Sequence, residues 1–356
     1  MNKLIKQISE CVENKEVMTS KERVVKTLTF ANPDRVPVDF WTLPATRLKY
    51  GEAFDCLKEE SALDILTAPC QVFRADVDAD PRHFQVGAFT DAWGSGWQGL
   101  YEGILGEVKH PALDDISLIH SYKTPKHLLP QHESELNDIQ NFVRRYPDKF
   151  IVGGCINLFE RMQFVRGTVN TYIDIIEEND GFYLLRDMLE DYFTHYLEMM
   201  LKTDVDAIVF ADDWGSQRSL LISPDSWSKL FKPVYKKFFD MTKATEKFVF
   251  MHSDGYILDL YEEFIELGVD AINSQVWCMG IDKVAEKCRE RITLWGEIDR
   301  QHVLPNGNVA DVENLIRQMK EKVWVPGGLI GQAAPGPECS FENIRACLQS
   351  WNNSNT

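Results

Sequence analysis

His252 and Asp254 stand two residues apart, directly after the apolar run 248–251 (Phe-Val-Phe-Met). If that run is a strand, both side chains can turn toward one point at its end. An imidazole beside a carboxylate makes part of a divalent metal site once a third ligand joins it. The same pair suits proton transfer, with the carboxylate orienting the ring. It equally suits a packed histidine beside a helix-capping aspartate. The residues alone leave these three readings open.

Other short apolar runs are followed by polar residues in the same way. Trp41 and Arg47 come after 36–40. Asn157, Glu160 and Arg161 come after 150–153, and Asp212, Asp213, Gln217 and Arg218 after 206–210. Gln275 follows 270–273, Glu297 and Asp299 follow 292–295, and Gln332 follows 328–330. Neighbouring residues in a loop point differently, so one of Asp212 and Asp213 is expected to face the others. So many carboxylates around one histidine repel each other unless a metal, a cationic ligand or a shared proton offsets their charge. Asp212, His252, Asp254 and Glu297 are the candidate catalytic groups. His252, Asp254 and Glu297 are the candidate metal ligands.

The elements that must position them alternate. Short apolar runs, flanked by helical stretches of ten or more residues, predict repeated βα units and a parallel sheet. With 36–40 and a strand near 66–73 the count reaches eight, and no G-x-G-x-x-G follows any run, which favours a closed (β/α)8 barrel over an open sheet. In such a barrel the residues just past each strand line one mouth, where the chemistry sits. Residues 1–35 read as an N-terminal helical segment, with a capping box at Thr19-Ser20-Lys21-Glu22. Residues 75–148 break the rhythm with Gly, Trp and Pro clusters, and are expected to form a β-hairpin over the mouth. The whole chain, 1–356, is read as one barrel domain.

The formal charge is −17, from 55 acidic and 38 basic residues. That balance disfavours nucleic acid and anionic membranes as partners. No run approaches the roughly 18 apolar residues of a membrane span, and the first residues hold no signal-peptide core, so a cytoplasmic address is expected. The eight cysteines include no C-x-x-C pair; they read as reduced, mostly buried residues.

Several stretches together resemble the uroporphyrinogen decarboxylase superfamily, in particular the decarboxylase-like branch that includes cobamide-dependent methyltransferases. They are Arg23 through Trp41, Asp91-Ala92-Trp93-Gly94, Asp212 through Trp227, His252-Ser253-Asp254-Gly255, Gly268 through Asn273, and Gly296 through Gln301 with Leu304-Pro305. Gly327-Gly328 and Glu342-Asn343-Ile344 complete the set. The resemblance implies a (β/α)8 barrel. Its decarboxylases use no metal and grip a polycarboxylated tetrapyrrole through an Arg-rich segment after the first strand; here 41–47 holds Arg47 alone. Its methyltransferases imply zinc held by a His-x-Cys after the fifth strand and a later Cys. This chain matches the histidine with His252, has Asp254 for the first Cys, and Ala333 near the last position, with Gln332, Glu297 and Cys339 as candidate replacements. An oxygen-rich site suits activation of an ether or alcohol oxygen better than of a thiol.

The leading reading is therefore methyl transfer between a small methylated substrate, such as an aromatic methyl ether, and a corrinoid carried by a partner protein. Trp41, Trp93, Trp97 and Trp214 would enclose the substrate, with Arg47, Arg161, Arg218, Gln275, Asp299 and Gln332 as further binding residues. The alternative is a metal-independent decarboxylase, with Arg47, Arg161 and Arg218 gripping carboxylates. A third class is a non-catalytic binding protein on a barrel scaffold.

Overall fold

The computed structural model describes residues 18–352; residues 1–17 of the expected N-terminal segment lie outside the described residues. Eight parallel strands form a nearly closed (β/α)8 barrel. In chain order they are β1 (Val38–Phe40), β2 (Ile65–Thr67), β6 (Phe150–Ile156), β7 (Ala207–Ala211), β8 (Phe248–Ser253), β9 (Ala271–Ser274), β10 (Thr293–Glu297) and β11 (Leu329–Ala333). Around the barrel their order is β1-β11-β10-β9-β8-β7-β6-β2.

The seam between β1 and β2 is closed by one residue. Asp64 donates its backbone N–H to Val38 O at 2.8 Å and accepts from Val38 N on its carboxylate at 2.8 Å. The same carboxylate pairs with Arg23 and Arg35, each at 2.6 Å. Arg23 belongs to helix α1 (Ser20–Leu28), whose start carries the expected capping box between Thr19 and Glu22. Val24 and Leu28 of α1 join the barrel-filling side chains Ile65, Phe150, Val152, Ala207, Phe250, Trp295 and Ile330 in one buried cluster.

The strands reach further than their apolar runs. β8 continues through His252 and Ser253, β10 through Glu297, and β11 through Gln332. Ladder pairing with neighbours, not hydrophobicity, holds these polar ends extended: His252 faces Asn273, and Glu297 faces Gln332. The long helical stretch after β6 is three helices, Leu158–Arg166, Thr168–Glu177 and Asp180–Met200. Gly167, at φ 84°, and the Asn179 cap break it.

Within 75–148 the structure has a three-stranded antiparallel sheet rather than a single hairpin: β3 (Gly87–Thr90), β4 (Gly96–Gly99) and β5 (Glu107–His110). It is tied to the segment after β1 by Ala45 N donating to Gly103 O at 3.0 Å. Ser95 Oγ donates to Phe164 O at 2.8 Å, tying it to the helix after β6. Both anchor points leave the C-terminal ends of barrel strands. Among the described residues no helix is long and apolar enough to cross a membrane.

Candidate active site

Alternation inside the barrel decides which mouth residues meet. Phe250, Ala271, Trp295 and Ile330 fill the interior. Two residues further along their strands, His252, Asn273, Glu297 and Gln332 therefore point the same way, one layer nearer the mouth. Trp41 closes this layer from the β1 side, its ring edge-on to His252 at 5.1 Å and to Trp295 at 4.8 Å.

The His252 ring is oriented from below. Its Nδ1 lies 2.6 Å from Asn273 Oδ1. Asn273 spends its Nδ2 donor on Trp295 O at 2.6 Å, and Trp295 Nε1 donates to the buried Asp39 at 2.9 Å. Asn273 thus offers His252 an acceptor for an Nδ1–H, the tautomer in which a neutral ring presents the Nε2 lone pair. That lone pair faces two carboxylates: Asp213 Oδ1 and Asp254 Oδ1 each lie 3.7 Å from Nε2. Asp254 N donates to Asp213 Oδ1 at 2.8 Å, which locks the loops after β7 and β8 together. Loss of water pushes the Asp213 carboxyl up; His252 opposes this and Asp254 adds to it.

These three groups fit a divalent cation. One ligand atom from each of Asp213, His252 and Asp254 falls within 4.8 Å of the others. Ligand atoms on a tetrahedral ion at about 2.1 Å lie roughly 3.4 Å apart, close to the spacing here. Asp254 Oδ1 is buried with no hydrogen-bond partner, and so are both amide atoms of the fully buried Gln332. Arg300 meets Asp254 at Oδ2, so the Oδ1 atoms of Asp254 and Asp213 are left facing His252 Nε2.

Glu297, expected as a ligand, takes another part. Its carboxyl is buried and lies 3.4 Å from Arg300 Nε, while Arg300 Nη2 also donates to Asp254. Burial pushes Glu297 up to about 8 against the pull of Arg300, so it holds a proton at neutral pH. Asp213 stands in the place expected for it. Cys339 is buried away from this group, its thiol pushed up to about 11 by burial.

The remaining expected residues separate by packing. Asp212 is fully buried and accepts from Phe159 N at 3.1 Å, Glu160 N at 2.8 Å and the Tyr235 hydroxyl. It caps the helix Leu158–Arg166, so it is the half of the Asp212-Asp213 pair that turns away. Trp214 is fully buried, stacked on Phe159 at 4.2 Å. Trp97 is buried with its Nε1 on Asp91, and Trp93 with its Nε1 on Ala75 O. These three rings serve the packing of helices and insertion, which leaves Trp41 as the indole beside His252. Asp299 accepts from Gln301 N and His302 N as a local cap. Gln275 accepts from Gln217 Nε2 at 2.8 Å, and both line an open cleft of about 530 Å³ with Asp254, Arg300 and Gln301. A larger groove of about 950 Å³, between the segment after β1 and the insertion, adjoins it at Leu43. Arg47 lies there, paired with Asp55 at 3.0 Å. Arg218 is exposed, and Arg161 is buried in the helix after β6.

Sequence reasoning missed Asn273 and Arg300. Counting two residues on from an inward-facing Ala271 would have found the first; nothing local marks the second.

The family match and one solved structure agree on the scaffold. No curated protein sequence matches the chain. The structure is similar to a methyltransferase from Methanosarcina mazei, with a TM-score of 0.71 at 18% identity, covering 94% of this chain and 98% of that one. An endo-β-1,4-xylanase from Gloeophyllum trabeum has a TM-score of 0.43 at 8% identity, covering 92% and 99%. The profile described as "Uroporphyrinogen decarboxylase (URO-D)" matches residues 19–352. With a barrel of matching topology and a family match along nearly its whole length, this chain belongs to the uroporphyrinogen decarboxylase family.

Proposed function

We propose that this chain is a metal-assisted methyltransferase, moving a methyl group between a small methylated substrate and a corrinoid held by a partner protein. The observation that carries the reading is His252 Nε2 facing Asp213 and Asp254, of which Asp254 lines an open cleft. The likeness to the Methanosarcina mazei methyltransferase supports it at the level of the scaffold. Asp213, His252 and Asp254 would hold zinc or another divalent ion. When bound, that ion would act as a Lewis acid on an ether or alcohol oxygen.

The chain's own residues do the rest. Asn273 sets the His252 tautomer, and Trp41 walls the site with an apolar surface suited to a methyl or aryl group. Arg300 holds Asp254 and Glu297 in place. The neutral Glu297 carboxyl is a proton donor at the edge of the site, suited to an oxygen that has lost its methyl group. The cleft opens outward, which leaves room for a corrinoid-bearing protein. Metal-independent decarboxylation of a small carboxylated compound, the alternative, would call on Arg47, Arg161 and Arg218, of which Arg47 is already paired with Asp55.

Elemental analysis after mild dialysis, combined with transfer from methoxylated donors to cob(I)alamin followed by its absorbance, tests this reading. Expected are stoichiometric divalent metal in the wild type and loss of both metal and transfer in His252→Ala at unchanged circular dichroism. A metal-free wild type, or a His252→Ala protein with full transfer, would overturn it.

A further inference from the structure

Arg161 lies in the first turn of helix Leu158–Arg166, which leaves the C-terminal end of β6. Its side chain is 2% exposed and forms an ion pair with Asp91 Oδ2 at 3.8 Å, too long for a hydrogen bond. Nε and Nη1 are buried with no hydrogen-bond partner among the described residues. Asp91 is already committed, accepting from Trp93 N at 2.9 Å, Ser95 N at 2.8 Å and Trp97 Nε1 at 2.9 Å. The guanidinium instead lies on the Trp93 ring, 4.6 Å from its centroid. Tyr192, packed on the same indole at 4.6 Å, has a hydroxyl that is also buried and unpartnered.

The same helix shows what a purely structural arginine looks like here. Arg166 is fully engaged: Nε on Asp174 at 2.7 Å, and Nη1 on Leu113 O at 2.8 Å and Asp114 O at 2.6 Å. Buried donors are normally satisfied in this way, because leaving them bare is costly. Arg161 Nε and Nη1 and the Tyr192 hydroxyl are left without such partners around one indole.

Arg161 also leaves the same end of the barrel as His252. Glu160, next to Arg161, is pushed up by burial and then by Asp213 and Asp212, while Arg161 draws it down. Of the other mouth arginines, Arg300 is held by Asp254 and Glu297, and Arg47 by Asp55.

We propose that Arg161 and the Tyr192 hydroxyl form an anchor for a carboxylate, so that the small substrate of this enzyme is an organic anion such as a methoxylated aromatic acid. The identity of the substrate as a methyl donor rests on the function proposed above; the anion site does not. Planar guanidinium and carboxylate match in a two-bond fork. Trp93 beneath the guanidinium holds that fork in one plane. In a chain of net charge −17, a buried guanidinium with two N–H groups unbonded among the described residues is a selective place for one negative group and a poor one for many.

Benzoate is the probe and benzamide its neutral counterpart, titrated calorimetrically into the chelator-treated full chain so that no metal can take the carboxylate. Expected is a benzoate preference of about 10- to 100-fold, abolished in Arg161→Gln. Zinc titration of Arg161→Gln should match the wild type, since Arg161 touches none of Asp213, His252 and Asp254. If circular dichroism shows Arg161→Gln unfolded, Arg161→Lys decides: it keeps the charge but loses the fork, and should bind benzoate several-fold more weakly. No preference in the wild type, or undiminished benzoate binding in the variant that folds, overturns the proposal. A benzoate site lost with Arg161, in a protein that transfers no methyl group, would leave the anchor standing and the methyl-transfer reading refuted.

Discussion

Asn273 touches no proposed ligand except through His252, which makes it a positioning residue with a measurable signature. Its Oδ1 fixes the proton on His252 Nδ1, and outer partners of ligating histidines are worth about 10- to 100-fold in metal affinity. Asn273→Ala is expected to weaken zinc binding by that factor in a competition titration, whereas a residue important for packing alone would lower the melting temperature and spare affinity. Asp76 carries the clearest proton linkage. Burial pushes its carboxyl up to about 8, outweighing the opposite pulls of Arg161 and of the Tyr196 hydroxyl. The unfolded carboxyl ionises near 4, so unfolding releases a proton throughout the interval between. The stabilisation is complete below pH 4 and is lost as pH rises through about 8. Asp76→Asn keeps an acceptor for Tyr196 Oη, which donates to Asp76 at 3.0 Å, but cannot ionise. Its melting temperature relative to wild type should therefore climb between pH 5 and pH 8.5; a constant difference would refute the buried-acid assignment.

The loops after β7 and β8 behave as one element because two glycines let their backbones touch. Gly255 adopts φ +79°, and a Cβ there would lie 2.2 Å from Gly215 O. Tyr256 N donates to Ser216 O at 2.7 Å across the same contact. Asp213 and Asp254 sit on these two loops, so their spacing depends on that approach. Gly255→Ala must force the loops apart and strain the left-handed backbone. Metal content should fall well below one per chain while the far-UV spectrum stays that of the wild type. A variant that retains its metal would show that the loops can separate without moving the carboxylates.

At the scale of the whole molecule, the barrel closes through charge where its ladder stops. Asp64 replaces a β1–β2 strand pair with one backbone bond, one side-chain bond and two arginine contacts. Arg23 and Asp64 have side chains with no exposed area, so removing Asp64 takes from the buried Arg23 one of its two carboxylates, leaving Asp34, and breaks the Arg35 contact as well. Such breaks cost about 3–5 kcal/mol. Asp64→Ala is expected to lower the free energy of unfolding by that amount in a urea titration. Methyl transfer per folded molecule should persist, because the clasp sits at the opposite end of the barrel from His252.

The alternation of apolar runs with helical stretches was enough to specify eight βα units and the end at which polar residues gather, because burying each short strand on both faces demands those patterns. His252 and Asp254 were legible for the same reason: they follow a fully apolar run. The roles of Asp212 and Asp213 were not, since which of two adjacent carboxylates caps a helix depends on where the Phe159 and Glu160 amides lie. Nor was the fate of the tryptophans legible, because an indole in a Gly-rich loop looks alike whether it lines a cleft or, like Trp97, packs beneath it. Asn273, Arg300 and Arg161 acquire meaning through partners 21 to 70 residues away, or through the lack of them. Local sequence sets which way a side chain leaves the backbone; whether another charge arrives to meet it is settled when distant strands close into the barrel.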